Sequence, residues 1–579
     1  MTIPDVADRN QIEVSLPVWT PGSYLVREYA RHVQSVGAEG TDGTEQDVTK
    51  KEKSTWRVDC RDLETVVVTY DIYAHELNVR EKHVDATHAF YQPTAVFMHP
   101  EGRLGRPVEL EVAPPVDTWS VHCPLPAIES AQHRWRADDF DMLYDAPLEM
   151  GDHPELTFEV DGTTHTMVFW GEGNWDRERL ERDLPDIVAA NAELFGGLPY
   201  DDYLFITLLS DGEYGGLEHR NSTALIYPRD EFGRAGDDDE PPINDEAYQN
   251  FLSLVAHEHF HVWNVKRIRP EALASIDYQQ ENYLRELWTV EGITSYYDTR
   301  ALLRGGLIDA ETYLETIAKG IRRLEQTPGR RVQSLADASF DAWIKYYRRD
   351  EQTPNNTVSY YLKGSLISML LDLRIRRATD GSRSLNDVMT RLFERWRREP
   401  ESGYAPGTHE ALASEIADRD LSQFFDTFIR GTADPDWDSE LSAIGLELNR
   451  QLDEETPEAW LGLRTDTDDG RPSIRSIRDD GPSARVDLAP GDTLIAANGY
   501  ELSEQRSLSR RLDDVAPGDT VTLYGFRDGR LFSTDVVADS HPPDDYGIRL
   551  TADPSKDQLE LLKGWLGTTD ISTEESQDE

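Results

Sequence analysis

Alternating apolar and polar positions dominate the first 170 residues. IEVSLPVW, TVVVTYDIYAH, VELEVA and LTFEV are short, alternating or β-branched, and Pro and Gly separate them, so a β-rich segment is predicted over 1–170. From Trp175 the period lengthens. Asp176 is placed to cap a helix running to about Phe195. Tyr203–Leu209 and Thr223–Arg229 read as strands, and the acidic, proline-containing stretch Gly233–Asn244 as a loop. A helix is predicted over about Asp245 to Asn264, with Phe251, Leu252, Val255 and Val262 as its apolar stripe. Helical periods continue through LWTVEGITSYYDTRALL, AETYLETIAKGIRRLE, YYLKGSLISMLLDLRIRR and LNDVMTRLFERWRR to about Ile429, punctuated by Gly and Pro. Short strands return after Gly431–Trp437 and run to about Ala538. A helix is predicted over Ser555–Leu566, and the acidic tail after it is expected to be disordered. The fold class expected is multidomain α+β, divided into 1–170, 171–437, 438–545 and 546–579.

Length supports that division, because single cores stop growing near about 250–300 residues and the chain has 579. Lys plus Arg is 59 and Asp plus Glu is 110, giving a net charge of −51. Such a charge repels nucleic acid and anionic membranes, so neither is an expected partner. Acid runs such as Asp237–Glu240 lie in predicted loops, and the composition reads as adaptation to high salt. Two cysteines, Cys60 and Cys123, support neither a disulfide framework nor a Cys-based metal site. Met1–Asn10 has no apolar core and no apolar run approaches about 20 residues, so the expected location is the cytoplasm.

The candidate chemistry lies in LVAHEHFHVW, Leu254–Trp263. On a helix turning about 100° per residue, His257 and His261 stack on one face, while His259 points about 200° away. His257 and His261 are therefore the candidate metal ligands and His259 a packed or solvent-facing bystander. In H-E-x-x-H sites the glutamate, here Glu258, is a base for water rather than a ligand, and the expected ion is one Zn²⁺. A third ligand is needed. Glu291, in the apolar pattern LWTVEGITSYY, is favoured over Glu286, because a carboxylate among apolar neighbours is costly to bury unless paired or coordinated.

With AHEHFHVWNVKRIRP (256–270) followed by ENYLRELWTVEGITSYYD (281–298), the chain resembles the glycyl aminopeptidase family, PDZ-containing zinc peptidases of the gluzincin type. LPVWTPGSYLVREYARHV (16–33), GEYGGLEHRNS (212–222) and SYYLKGSLISMLLD (359–372) continue the likeness in family order. The resemblance implies an N-terminal β-domain, a mainly helical thermolysin-like catalytic domain and a C-terminal PDZ-like domain. It implies that Glu218 binds the substrate α-ammonium, with Gly215 and Gly216 letting backbone approach the substrate. It implies that Tyr361 stabilises the oxyanion, with Tyr360 as the alternative. Thermolysin-type sites often place an Asp four residues after the ligand Glu to orient a histidine. Here that position is Ser295, with Asp298 seven after. Trp460–Arg464 looks like the carboxylate-binding loop of a PDZ domain, and Leu488–Gly499 like its strand-turn core.

The expected function is zinc-dependent removal of the N-terminal residue of peptides, with Gly and Ala preferred by family likeness. The partners expected are peptides with a free N-terminus and a peptide on the PDZ-like module. A zinc endopeptidase and a PDZ-type adaptor with a vestigial metal site are the alternatives.

Overall fold

The computed structural model describes residues 1–129, 131–233, 246–400, 402–468, 470–503 and 507–571. The acidic loop around 237–240, the first residue of the predicted 245–264 helix and most of the acidic tail lie outside the described residues. Multidomain α+β is the class observed. The chain divides into two units, one of 1–283, 297–307 and 389–405, the other of 284–296, 308–388 and 406–579.

The first unit begins with two antiparallel four-stranded sheets. Thr65–Ile72 and Val33–Gly40 are central in one, Gln11–Ser15 and Thr55–Asp59 in the other. Their alternation buries every second side chain, and Ile12, Val14, Trp56, Val58, Val66 and Val68 form the shared core. A third sheet runs Ser120–His122, Leu148–Gly151, His88–Tyr91, Lys82–Val84.

The sheet that matters for chemistry has five strands, in the order Glu155–Val160, Thr163–Trp170, Asp202–Ser210, Ser222–Pro228, Gly215–Glu218. Thr163–Trp170 pairs in parallel with Asp202–Ser210, which pairs in parallel with Ser222–Pro228. The first crossover is the helix Arg177–Phe195, and Asp176 caps it by accepting from the Arg179 amide at 3.0 Å. Strands buried on both faces read as continuous apolar runs, and Tyr203–Leu209 is such a run. The sheet does not respect residue 170, because the parallel pairing joins a strand from the β-rich segment to strands beyond it. The edge strand Gly215–Glu218, too short and polar to carry a period, lies antiparallel on Ser222–Pro228, with Gly216 opposite Leu225 and Glu218 opposite Thr223.

In the second unit a π-helical turn spans Trp288–Gly292; the helix after it, Ile293–Arg304, is divided at residue 297 between the two units. The helices Ala310–Glu325 and Leu362–Ala378 follow. A Cβ on Gly292 would lie 2.6 Å from the Cα of Gly364. The two glycines therefore permit backbone-to-backbone approach of this turn to the helix beginning at Leu362. Strands from Leu463 to Val537 form a six-stranded sheet over its own core, including Ile474, Leu494, Val521 and Leu523. Ser555 caps the helix Lys556–Leu566 through a capping box with Gln558. Among the described residues no helix is long and apolar enough to cross a membrane.

Candidate active site

The helix carrying the H-E-x-x-H motif spans Glu246–Phe260 and stops one residue before His261, short of the predicted Asn264. The last turn tightens there, with Val262 and Trp263 amides bonding the carbonyls of His259 and Phe260. The His261 amide still donates to the His257 carbonyl at 3.3 Å, so the four-residue spacing keeps its helical geometry.

His257 Nδ1 lies 3.2 Å from Asp298 Oδ2, and His261 Nδ1 lies 2.6 Å from the Asn264 carbonyl oxygen. Both acceptors call for a proton on Nδ1, which leaves the Nε2 lone pairs for a cation. The two Nε2 atoms are 3.2 Å apart. At a metal–nitrogen distance of about 2.1 Å that separation subtends about 100°, close to tetrahedral, so the pair fits a tetrahedral divalent ion. Asp298 therefore does for His257 what thermolysin-type sites often assign to the position held here by Ser295. Seven residues are two helical turns, and the same-face logic that pairs His257 with His261 was the available signal.

His259 has the bystander's position. It is fully buried, with Nε2 2.7 Å from the Tyr200 hydroxyl and Nδ1 3.3 Å from the Asn191 amide, and burial pushes its imidazole well below the usual range.

Glu258 is buried, and the edge strand runs across it. A Cβ on Gly216 would lie 2.2 Å from Glu258 Oε1 and 2.3 Å from its Cδ, so only glycine allows this approach. Arg80 Nη2 donates to the Gly216 carbonyl at 2.7 Å and clamps the strand. Two residues on, hence on the same face of the strand, comes Glu218, which is 4% exposed. Gly22, at φ +87°, seats it: a Cβ there would lie 2.5 Å from Glu218 Oε2. One ligand atom from each of Glu218, Glu258 and His261 falls within 4.8 Å of the others.

Glu218 does not stand alone. Lys266 Nζ is 3.9 Å from its Oε1 and 2.9 Å from Asp145 Oδ1, and Asp145 also receives His219 Nδ1 at 3.0 Å and the Arg220 amide at 2.8 Å. Burial alone would lower the Lys266 pKa. The carboxylates of Asp145 and Glu218 outweigh it and hold the ammonium above its usual value. These groups border a cavity of about 420 Å³ whose wall includes Gly22, Tyr24, Asp145, Glu218, Lys266 and Arg269. Gly22, Arg80, Asp145 and Lys266 were not singled out from sequence. The one available signal was a lysine five residues after the H-E-x-x-H motif in a chain with a net charge of −51.

In the second unit Glu291 is 2% exposed, within the π-turn among Trp288, Val290 and Ile293, whereas Glu286 is half-buried and accepts from the Arg285 amide. Tyr360 is fully buried. Tyr361 is half-buried, with its hydroxyl 3.4 Å from that of Tyr347. Burial, then the charge of Glu291, push the Tyr361 phenol well above its usual range, so it stays a donor.

Comparison with known proteins agrees along the chain. Residues 1–152 match the peptidase M61 N-terminal domain, 250–367 the M61 glycyl aminopeptidase and 459–537 a PDZ domain. The crystal structure of an aminopeptidase N family protein from Idiomarina loihiensis superposes with a TM-score of 0.90 at 31% identity, covering 98% of this chain and 96% of that one. An M1 zinc metallopeptidase from Deinococcus radiodurans is more distant, at TM-score 0.44 and 11% identity over 74% of this chain and 88% of its own. A probable periplasmic serine endoprotease, DegP-like, from Bartonella henselae is 35% identical over 65 residues, 11% of this chain. The chain spans only 13% of that curated relative's length. The chain thus belongs to the M61 glycyl aminopeptidase family.

Proposed function

We propose that this protein hydrolyses the first peptide bond of peptides with a free N-terminus, using one Zn²⁺ held by His257, His261 and Glu291. The observation that carries the reading is the pair of buried carboxylates, Glu218 and Glu258, with oxygens within 4.8 Å of one another. An amine nitrogen and the carbonyl carbon of the same residue are about 2.5 Å apart. One residue spans the two carboxylates with a contact at each end, and a second residue would add about 3.5 Å.

When bound, the ion polarises the scissile carbonyl and lowers the pKa of the attacking water. Glu258 takes the proton from that water and returns it to the leaving amine. Glu218 accepts hydrogen bonds from the substrate ammonium, and Lys266 with Asp145 fixes its carboxylate. Tyr361, rather than the enclosed Tyr360, donates to the oxygen on which charge develops. Gly216 is a clearance for the base, so its role is to admit Glu258 beside the strand. Gly215, at the strand's start, shares the Arg80-clamped backbone.

A preference for N-terminal Gly follows the description of the matching family, and the expectation of Ala beside it rests on the sequence resemblance. The module at 459–537 would take an extended peptide on a sheet edge. The test is a panel of aminoacyl anilides in molar KCl, each with and without an N-acetyl block and a chelator. Loss of nearly all rate on blocking, and on chelation, is expected. Equal rates for blocked and free substrates would replace this reading with an endopeptidase.

A further inference from the structure

Far along the chain from the H-E-x-x-H motif, the hairpin of Lys82–Val84 and His88–Tyr91 gathers a second set of ligand-type side chains. Strand alternation puts His83 and Asp85 on one face. The register, with His83 opposite Phe90 and Val84 opposite Ala89, brings His88 to that same face. One ligand atom from each of His83, Asp85 and His88 lies within 4.8 Å of the other two. His83 Nδ1 and His88 Nε2 are 2.8 Å apart.

His88 is fully buried, and its Nδ1 lies 3.0 Å from Oε1 of Glu149, which is fully buried as well. That is the arrangement Asp298 provides for His257: a carboxylate fixes the proton on Nδ1 and leaves Nε2 for a ligand bond. The Trp170 ring stacks on His88 at 3.9 Å between centroids, 15° from parallel, and holds the imidazole plane. Asp85 is exposed. Its Oδ1 accepts from the Thr87 amide at 2.7 Å, the Thr87 hydroxyl at 2.7 Å and the His88 amide at 3.2 Å, which stiffens the turn and leaves Oδ2 for an ion.

We infer that His83, Asp85 and His88 form a second metal site in the N-terminal β-rich segment, suited to a six-coordinate first-row divalent cation. At a metal–nitrogen distance of about 2.1 Å, a 2.8 Å nitrogen separation subtends about 85°. This is the right angle of an octahedral ion, unlike the wider angle at His257 and His261. Two histidines and one carboxylate on a single face leave the remaining positions to water. The peptidase chemistry uses none of these residues.

The test counts metal. Full-length protein is stripped with chelator, reloaded with Co²⁺, dialysed in molar KCl so that scattered surface carboxylates do not compete, and analysed by mass spectrometry. Two equivalents are expected in the wild type, one in Asp85→Asn and one in His257→Ala/His261→Ala. Asparagine keeps an acceptor for the turn amides, so Asp85→Asn leaves the hairpin intact. His83→Ala is the second variant and should also hold one equivalent. The inference is overturned if the wild type holds a single equivalent that vanishes in His257→Ala/His261→Ala, because His83 and His88 then simply share a proton. It is equally overturned if Asp85→Asn and His83→Ala both keep two.

Discussion

Replacing Gly216 by alanine adds one methyl group where Glu258 already sits. The new Cβ would meet Glu258 Oε1 at 2.2 Å and Cγ at 2.5 Å. Ordinary contact needs about 3.4 Å, so the carboxylate must retreat by roughly 1 Å. Misplacement of a reacting group by 1 Å costs about 10²-fold, and a general base contributes about 10²–10⁴-fold. A fall in kcat of about 10²-fold is therefore expected, smaller than that for Glu258→Gln, with KM changed only a few-fold because Glu218 is untouched. The fold should survive, since Gly216 lies within a regular strand and alanine removes unfolded-state entropy worth about 0.4–1 kcal/mol. Steady-state kinetics on an alanyl anilide, with zinc content and thermal midpoint measured in parallel, decides the matter. A variant that is folded, zinc-loaded and within twofold of wild-type kcat would refute the role given to Glu258.

Three further outcomes are expected. Asp298→Asn should weaken zinc affinity by about 10–100-fold, read by chelator competition, because His257 Nδ1 loses its charged partner; unchanged affinity would remove Asp298 from the site. Tyr361→Phe should lower kcat by about 10²–10³-fold at unchanged zinc content, while Tyr360→Phe should perturb stability instead; the reverse pattern would exchange their roles. Burial pushes His99 and His165 down to about 4. Their stabilising contribution is complete above about pH 6.5 and is lost as pH falls towards 4, because the unfolded chain binds protons that the folded chain does not. That amounts to about 2 kcal/mol each at pH 5, measurable by guanidinium unfolding in molar KCl; equal midpoints at pH 7 and pH 5 would refute it.

The parts of the site legible in sequence are those fixed by local periodicity. The 3.6-residue repeat paired His257 with His261 and turned His259 into the packing around Tyr200. Burial of Glu291 rather than Glu286 followed from its apolar neighbours. What sequence did not disclose depends on long-range register. Asp145 and Lys266 meet across 121 residues of chain, and Gly22, in the Thr20–Ser23 turn, reaches Glu218 at the edge of the five-stranded sheet. The parallel pairing of Thr163–Trp170 with Asp202–Ser210 is equally silent, because a strand's period names its faces and not its neighbour. The π-turn at Trp288–Gly292 breaks the repeat from which it would have to be read.

The spacing between amine anchor and base is the feature that separates removing one residue from cutting anywhere, and it can be altered by one carbon on either side. Glu218 cannot slide to follow a longer substrate, because Gly22 backs its carboxylate closely enough that a Cβ would fall 2.5 Å from Oε2. A β-alanyl substrate sets its amine about 1.5 Å further from the scissile carbonyl than an alanyl one. In the wild type that group is pressed out of register, and loss of a charge-assisted hydrogen bond, about 1.5–3 kcal/mol, lowers kcat/KM by roughly 10–150-fold. Glu218→Asp withdraws the anchor by about one carbon–carbon bond, also near 1.5 Å. It should hurt alanyl substrates and spare β-alanyl ones, moving the ratio of the two kcat/KM values at least tenfold towards β-alanyl. A carboxylate that merely supports the fold has no reason to exchange preference between two substrates. If Glu218→Asp lowers both in the same proportion, Glu218 is not the group that reads the N-terminus, and the endopeptidase reading gains what the aminopeptidase reading loses.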